Sequence, residues 1–553
     1  MILYNGKIVT VDNNFSIAKA VAIRDGKIIA VEDGNRIMRY KGPKTKMINL
    51  KGATVLPGIN DSHIHIKSFG VSIPPAKLDL NYPTVKSIAD IVAAVEARVA
   101  QVSPGDWILG NGVDENYLDE CKQDPNRRLT RWDLDPVSPN NPVALTGQHG
   151  LWCNSKAFEL AGITKDTPNP PGGTIIKDPV TGEPIGILYE KATSLVTSII
   201  PPLTVSQIRE GILLAMQQLN RQGITSATEP GISTDLLGIY NDLYNEGKFT
   251  IRLNCLISAG ISLEQMQNVV EHLGTLAGFG NEWLRIAGLK IVGDGIPPFR
   301  TGWVWEEYLP YPDGTPGGFG TLLVAGDTEE ERYNTLINMI KYGNEHGFQI
   351  GIHATGDRAI DACVDGYIAA LQEHPWDARH YTIHNELTRP ETAQRMALWN
   401  IGANVSGGIK YHIASYMESI LGVERNAYGF PLRTLIDAGL HVSNSSDAPS
   451  FGCDWKQGVE TCVLREDKAT GKVSGPQQCI TVEETIRTYT IEGAWQDHQE
   501  NIKGSIEVGK LADFCILGKD ILTIDPHDIS DIPTLMTIVG GRIVYDSGDL
   551  SVK

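Results

Sequence analysis

No Cys-x-x-Cys pair occurs among the 8 cysteines of this 553-residue chain, which stand at positions 121, 153, 255, 363, 453, 462, 479 and 515. That spacing excludes a zinc knuckle and a disulfide framework. Free thiols in a reducing cytoplasm are expected. No run is long and apolar enough to span a membrane, and none is expected to. The opening Met1-Ile-Leu-Tyr-Asn-Gly-Lys lacks a basic stretch followed by an apolar one, so no signal peptide is expected. Positive charge is scarce: 48 Lys and Arg face 66 Asp and Glu, a net charge of −18. An acidic surface argues against a nucleic-acid partner, which requires a basic face.

What is there is ordinary globular composition, 41% hydrophobic and 21% charged. The length suits a large barrel with accessories rather than one small domain. Tyr4-Asn-Gly-Lys-Ile-Val-Thr-Val and Ala20-Val-Ala-Ile-Arg-Asp-Gly-Lys-Ile-Ile place Asn-Gly and Asp-Gly hairpin signals between β-branched runs. Ala512-Asp-Phe-Cys-Ile-Leu and Thr537-Ile-Val-Gly-Gly-Arg-Ile-Val-Tyr repeat that character at the other end. The expectation is one composite β-sandwich built from residues 1–55 and 505–553.

Between them, short apolar strands alternate with amphipathic helical stretches, the βα pattern of a parallel sheet. Strands are read at Val55–Asn60, Ser226–Glu229, Arg252–Leu256, Ala287–Val292, Gln349–His353, Tyr381–His384, Gly402–Ser406 and His441–Ser445. Eight such strands predict an α/β fold, a (β/α)8 TIM-like barrel over 56–504. The stretch from about 70 to 205 is too long for one crossover. It is read as an insertion over the barrel mouth, with a hairpin near Gly173–Leu188.

Barrel enzymes carry their catalytic groups at the C-terminal ends of the strands. The first strand runs into Asp61-Ser-His63-Ile-His65, just after Pro57 and Gly58, which let the backbone bend. If the strand continues through them, His63 and His65 point to one face, as a shared metal ion needs. Lys290 lies on the fourth strand, with Asp294 after it on the same alternating face. His353 ends the fifth strand, His384 the sixth and Asp447 the eighth. Four imidazoles, a lysine and a carboxylate suit one or two divalent ions, zinc first among them. Such an ion lowers the pKa of a coordinated water toward ~7. Asp447 is placed both to bind metal and to take that water's proton.

The ordered motifs resemble the amidohydrolase superfamily, specifically the amidohydrolase family 3 branch, often called YtcJ-like. Leu56-Pro-Gly-Ile-Asn-Asp-Ser-His-Ile-His resembles its first-strand signature, and Gly147-Gln-His149-Gly-Leu-Trp152-Cys-Asn154 its insertion motif. Leu289-Lys290-Ile-Val-Gly-Asp294, Ile352-His353-Ala-Thr-Gly-Asp357 and Ser446-Asp447-Ala-Pro resemble the fourth, fifth and eighth strand motifs. Gly504-Ser-Ile-Glu-Val-Gly-Lys510-Leu-Ala-Asp513 resembles its closing β signature.

The resemblance implies hydrolysis of a non-peptide C–N bond, amide-like or cyclic, by metal-activated water. His63, His65, His353, His384 and Asp447 would be ligands. Lys290 sits where several superfamily members carry a carbamylated, metal-bridging lysine. On the substrate side, His149, Trp152, Asp294 and Arg300 are the candidates, with a small molecule as partner and a homodimer as the assembly. Two departures stand out: Ile383 replaces the usual sixth-strand acid, and Gly-Ile-Pro-Pro follows Asp294. Deamination of a nitrogen heterocycle, or a barrel that has lost catalysis, are the competing readings.

Overall fold

Eight strands form one parallel sheet in chain order. They are β1 (Ile59–Asp61), β2 (Ile224–Ile232), β3 (Arg252–Ser258) and β4 (Leu284–Val292). There follow β5 (Gln349–Ala354), β6 (Tyr381–His384), β7 (Gly402–Val405) and β8 (Val442–Asn444). Each pairs in parallel with its chain neighbour. This computed structural model describes residues 1–124, 126–147, 150–274, 278–468 and 470–552. At the seam between β8 and β1, Ser62 donates to Asn444 O through its Oγ at 2.5 Å and its backbone N–H at 3.4 Å. The sheet is thus a nearly closed barrel. All but one residue of β2 are buried, as expected for a strand covered on both faces.

Helices connect the strands, and their starts are written locally. Ser233, Ser262 and Thr328 each accept a backbone N–H from the first turn of the helix they precede. Thr328 and Glu331 complete a reciprocal capping box.

The single strand expected over Val55–Asn60 is two strands. Thr54–Pro57 runs antiparallel to Phe514–Leu517 and parallel to Ile2–Val9. Only Ile59–Asp61 joins the barrel. The change of sheet falls at Gly58, where a Cβ would stand 2.0 Å from Thr225 Oγ1. A side chain there would collide with β2, so the crossing requires glycine. Gly58→Ala should destabilise the fold by about 1–3 kcal/mol, the usual cost of overpacking. The denaturation midpoint would fall with little change in slope.

Thr54–Pro57 belongs to a nine-stranded sheet that draws strands from both ends of the chain. Leu3, Ile8, Val21, Val55, Phe514 and Ile538 pack in its core. Its Asp25-Gly26 and Gly540-Gly541 turns hold both central residues at positive φ, the backbone that two-residue hairpins prefer.

The chain divides into two compact units, residues 1–66 with 216–553, and residues 67–215. The second unit has its own six-stranded sheet. Gly173–Lys177 pairs there with Pro184–Glu190 as the expected hairpin. Ile91, Val95, Leu145, Trp152 and Ile187 form its core. No described helix is long and apolar enough to cross a membrane.

Candidate metal centre

Strand β1 ends at Asp61, so His63 and His65 lie in the loop beyond it and not on one strand face. Their convergence has another cause. The loop is laced to the segment after β8: Asp447 N donates to His63 O at 3.0 Å, and His65 N to Ala448 O at 2.9 Å. Asp61 Oδ1 accepts from Ser446 N at 3.0 Å. The lacing brings His63 Nε2 to 3.4 Å and His65 Nε2 to 3.6 Å from Asp447 Oδ1.

His384 enters from the end of β6. Its ring centroid lies 5.2 Å from that of His63 and 4.6 Å from that of His353. His384 and Asn385 hold φ of 78° and 52°, a region non-glycine residues occupy only when the surroundings enforce it. Asn385 supplies the enforcement. Its Oδ1 accepts from Thr382 Oγ1 at 2.6 Å and Thr388 Oγ1 at 3.1 Å. Its Nδ2 donates to Thr382 O at 2.8 Å and Asn404 O at 2.9 Å. The buried turn is thereby fixed from both sides. Asp447 is likewise at positive φ, 55°. One ligand atom each from His63, His384 and Asp447 lies within 4.8 Å of the other two.

The electrostatics match the geometry. Burial, with Lys290 close by, pushes His63 down to about 3 and His353 down to about 4. Burial and His353 put His384 well below the usual imidazole range. Three neutral imidazoles therefore carry free lone pairs, the form that binds a metal. His353 spends Nε2 on Gly295 O at 2.9 Å, leaving Nδ1 free. His384 Nδ1 contacts Ser406 Oγ at 3.3 Å, leaving Nε2. His63 Nδ1 is buried with no partner among the described residues. For Asp447, burial would raise the pKa, but hydrogen bonds from His63 and His65 outweigh it and hold the carboxyl well below its ordinary range. A carboxylate among neutral imidazoles with an orphaned nitrogen suits a divalent cation.

Lys290 lies on β4 between Ser258 of β3 and Gly351 of β5. Burial pushes its amine down to about 7, with Asp447 pulling it back up. It lines one cavity of about 330 Å³ with His63, His65, His353, His384 and Asp447.

Of the proposed substrate-side residues, Asp294 and Arg300 are not among those that line this cavity. Asp294 is fully buried and accepts the backbone N–H groups of Trp303, Thr355 and Gly356 at 2.9–3.0 Å. Burial lifts its carboxyl to about 7 against those bonds. Its Oδ1 is 3.9 Å from His353 Nε2, too far for a hydrogen bond, so its bonds brace the surrounding backbone. Arg300 lies over the Tyr311 ring at 4.0 Å and donates to Leu309 O at 3.2 Å. Trp152 is 4% exposed in the second unit's core, with its indole N–H on Glu115 Oε1 at 3.2 Å. His149 lies outside the described residues.

One ionisable residue of the cavity escaped the sequence reading. Glu386, 4% exposed, lines it alongside Ile296, Ile409, Ile413 and Phe451. Its one sequence signal was an acid two positions beyond a strand-end histidine.

The model of the amidohydrolase family matches residues 46–545. The chain belongs to that family. This amidohydrolase is 29% identical over 563 residues to the putative amidohydrolase YtcJ of Bacillus subtilis (strain 168), covering 99% of both chains. It is 26% identical to the N-substituted formamide deformylase of Arthrobacter pascens, covering 99% of this chain and 98% of that one. Among solved structures, an uncharacterized metal-dependent hydrolase from Pyrococcus horikoshii OT3 shares the fold. The TM-score is 0.73 at 23% identity, over 95% of this chain and 99% of that one.

Proposed function

We propose that this amidohydrolase holds one or two divalent ions, zinc by preference, on His63, His65, His353, His384 and Asp447. With them it hydrolyses an amide-like or cyclic C–N bond of a small molecule. The observation that carries this reading is the meeting of neutral His63 and His384 with ionised Asp447, ligand atoms within 4.8 Å, at the wall of a cavity. Imidazole and carboxylate are the donor set of hydrolytic zinc. A bound ion supplies Lewis acidity and a water of lowered pKa. The chain's own groups do the rest. Asp447 has a second carboxylate oxygen to take a proton and return it to the leaving nitrogen. Gly295 O fixes the ring of His353 through Nε2, the support that metal-binding histidines need. Eight free cysteines suit a cytoplasmic setting. A composite β-sandwich of the two chain ends and a barrel interrupted at about 70–205 complete the proposed architecture.

Lys290 decides between one ion and two. Its depressed amine supplies the neutral nitrogen that would attack carbon dioxide, losing a proton to give the carbamate. A bridging carbamate requires density beyond Nζ and two ions about 3.5–4 Å apart. Lys290→Ala would then halve the metal content. An unmodified lysine beside a single ion would refute the binuclear form and leave the mononuclear one standing.

The test is a screen of zinc-loaded protein against N-substituted formamides, N-acyl amines, cyclic ureas and imides. The deformylase relative makes formamides the first probe. Chelator-sensitive release of amine or opening of a ring is expected. No turnover of any class by protein shown to carry metal would count against the proposal.

A further inference from the structure

Glu386 is the titratable group of the cavity that the metal-centred reading leaves unused. It lines the cavity together with His63, His353, His384 and Asp447 and with the apolar Ile409, Ile413 and Phe451. Its Oε2 is buried without a hydrogen-bond partner among the described residues. The basic group that acts on it electrostatically is Lys410. That amine is already engaged, donating to Asn426 O at 2.8 Å and Gly429 O at 3.4 Å. No ion pair joins Lys410 to Glu386 among the described residues.

A buried oxygen left without a donor destabilises the fold. Native proteins leave few such groups unpaired, and each calls for a reason. A reason lies in the cavity itself. A carboxyl oxygen accepts a hydrogen bond whether or not the group carries a proton. Apart from Lys290 and Ser450, the residues that line the cavity with Glu386 are proposed metal ligands or apolar, so its carboxyl is the acidic acceptor there for a polar hydrogen on a mostly apolar ligand.

We propose that the Glu386 carboxyl accepts a hydrogen bond from a substrate N–H, making it a specificity-determining residue. The cavity then selects secondary amides, imides and related N–H compounds over their N-alkyl analogues, with an apolar substituent against Ile409, Ile413 and Phe451. A site whose buried acceptor is satisfied by the right ligand rejects the one lacking that hydrogen. This inference rests on the amidohydrolase reading of the same cavity. A bracing role for Glu386 would alter stability but not the preference for N–H.

The experiment is calorimetric titration of zinc-loaded protein with hexanohydroxamic acid and its N-methyl analogue. Both present two oxygens to a metal, and only the first has an N–H. The wild type should prefer the first by about tenfold beyond their intrinsic difference, equivalent to one hydrogen bond. Glu386→Met, of similar length and with no carboxyl acceptor, supplies that intrinsic difference. Glu386→Gln, which keeps a carbonyl acceptor, should retain the preference. Zinc content and melting temperature are measured alongside, with Glu386→Leu replacing the methionine variant if that one fails to fold. The same preference in wild type and the methionine or leucine variant would overturn the inference. Binding of neither compound to zinc-loaded wild type would overturn the amidohydrolase reading, and the inference with it.

Discussion

Replacing His63 and His65 together by alanine should yield a folded protein with little bound metal and no measurable hydrolysis. His63 is 2% exposed, neutral and left with an unpartnered Nδ1. Its Nε2 lies 3.4 Å from Asp447 Oδ1, and the Nε2 of His65 lies 3.6 Å from the same atom. Removing both takes away two of the five proposed ligands, and hydrolytic zinc commonly has only three from protein. The fold should survive because backbone groups close the barrel here. His63 O still accepts from Asp447 N, and His65 N still donates to Ala448 O. Elemental analysis reads the metal and circular dichroism the fold. Full metal content in a folded double variant would place the centre elsewhere.

Asp447→Asn should lower turnover by at least ~10²-fold, the lower end of what proton transfer by a positioned group contributes. The amide keeps the shape of the side chain. It loses the charge that His63 and His65 stabilise and the basic oxygen that receives a proton. Because Asp447 also belongs to the ligand cluster, the comparison is made at saturating zinc, so that a loss of affinity is separated from a loss of rate. Turnover close to wild type under those conditions would assign the proton to another group. Glu386, in the same cavity, would be examined next.

Much of this was legible in the sequence because barrel strands are short apolar runs with polar residues at their ends. Tyr381–His384 occurs as expected, and β7 and β8 differ from expectation by a residue or so at their ends. Local pattern could not show the break at Gly58. Thr54 to Asn60 reads as one apolar run, and the division depends on Phe514–Leu517, remote in sequence, and on the side chain of Thr225. For the same reason His63 and His65 met by loop lacing and not by strand alternation. Trp152 reads toward the barrel mouth because it lies on the insertion expected there. Burial in the second unit's core is decided by Ile91, Val95 and Ile187. Arg300 reads as a substrate-side candidate from its place after the fourth strand, and its guanidinium stacks on Tyr311 eleven positions on (311 − 300). Glu386 was missed because an acid beyond a strand usually faces water, and only the cavity reveals its burial.

The most direct test of the central claim is calorimetric titration of chelator-stripped protein with zinc. The account requires tight uptake with a break at one or two ions per chain, abolished in the His63→Ala, His65→Ala double variant. Folded wild-type protein that takes up no zinc, or takes it up equally well without these two histidines, would contradict it.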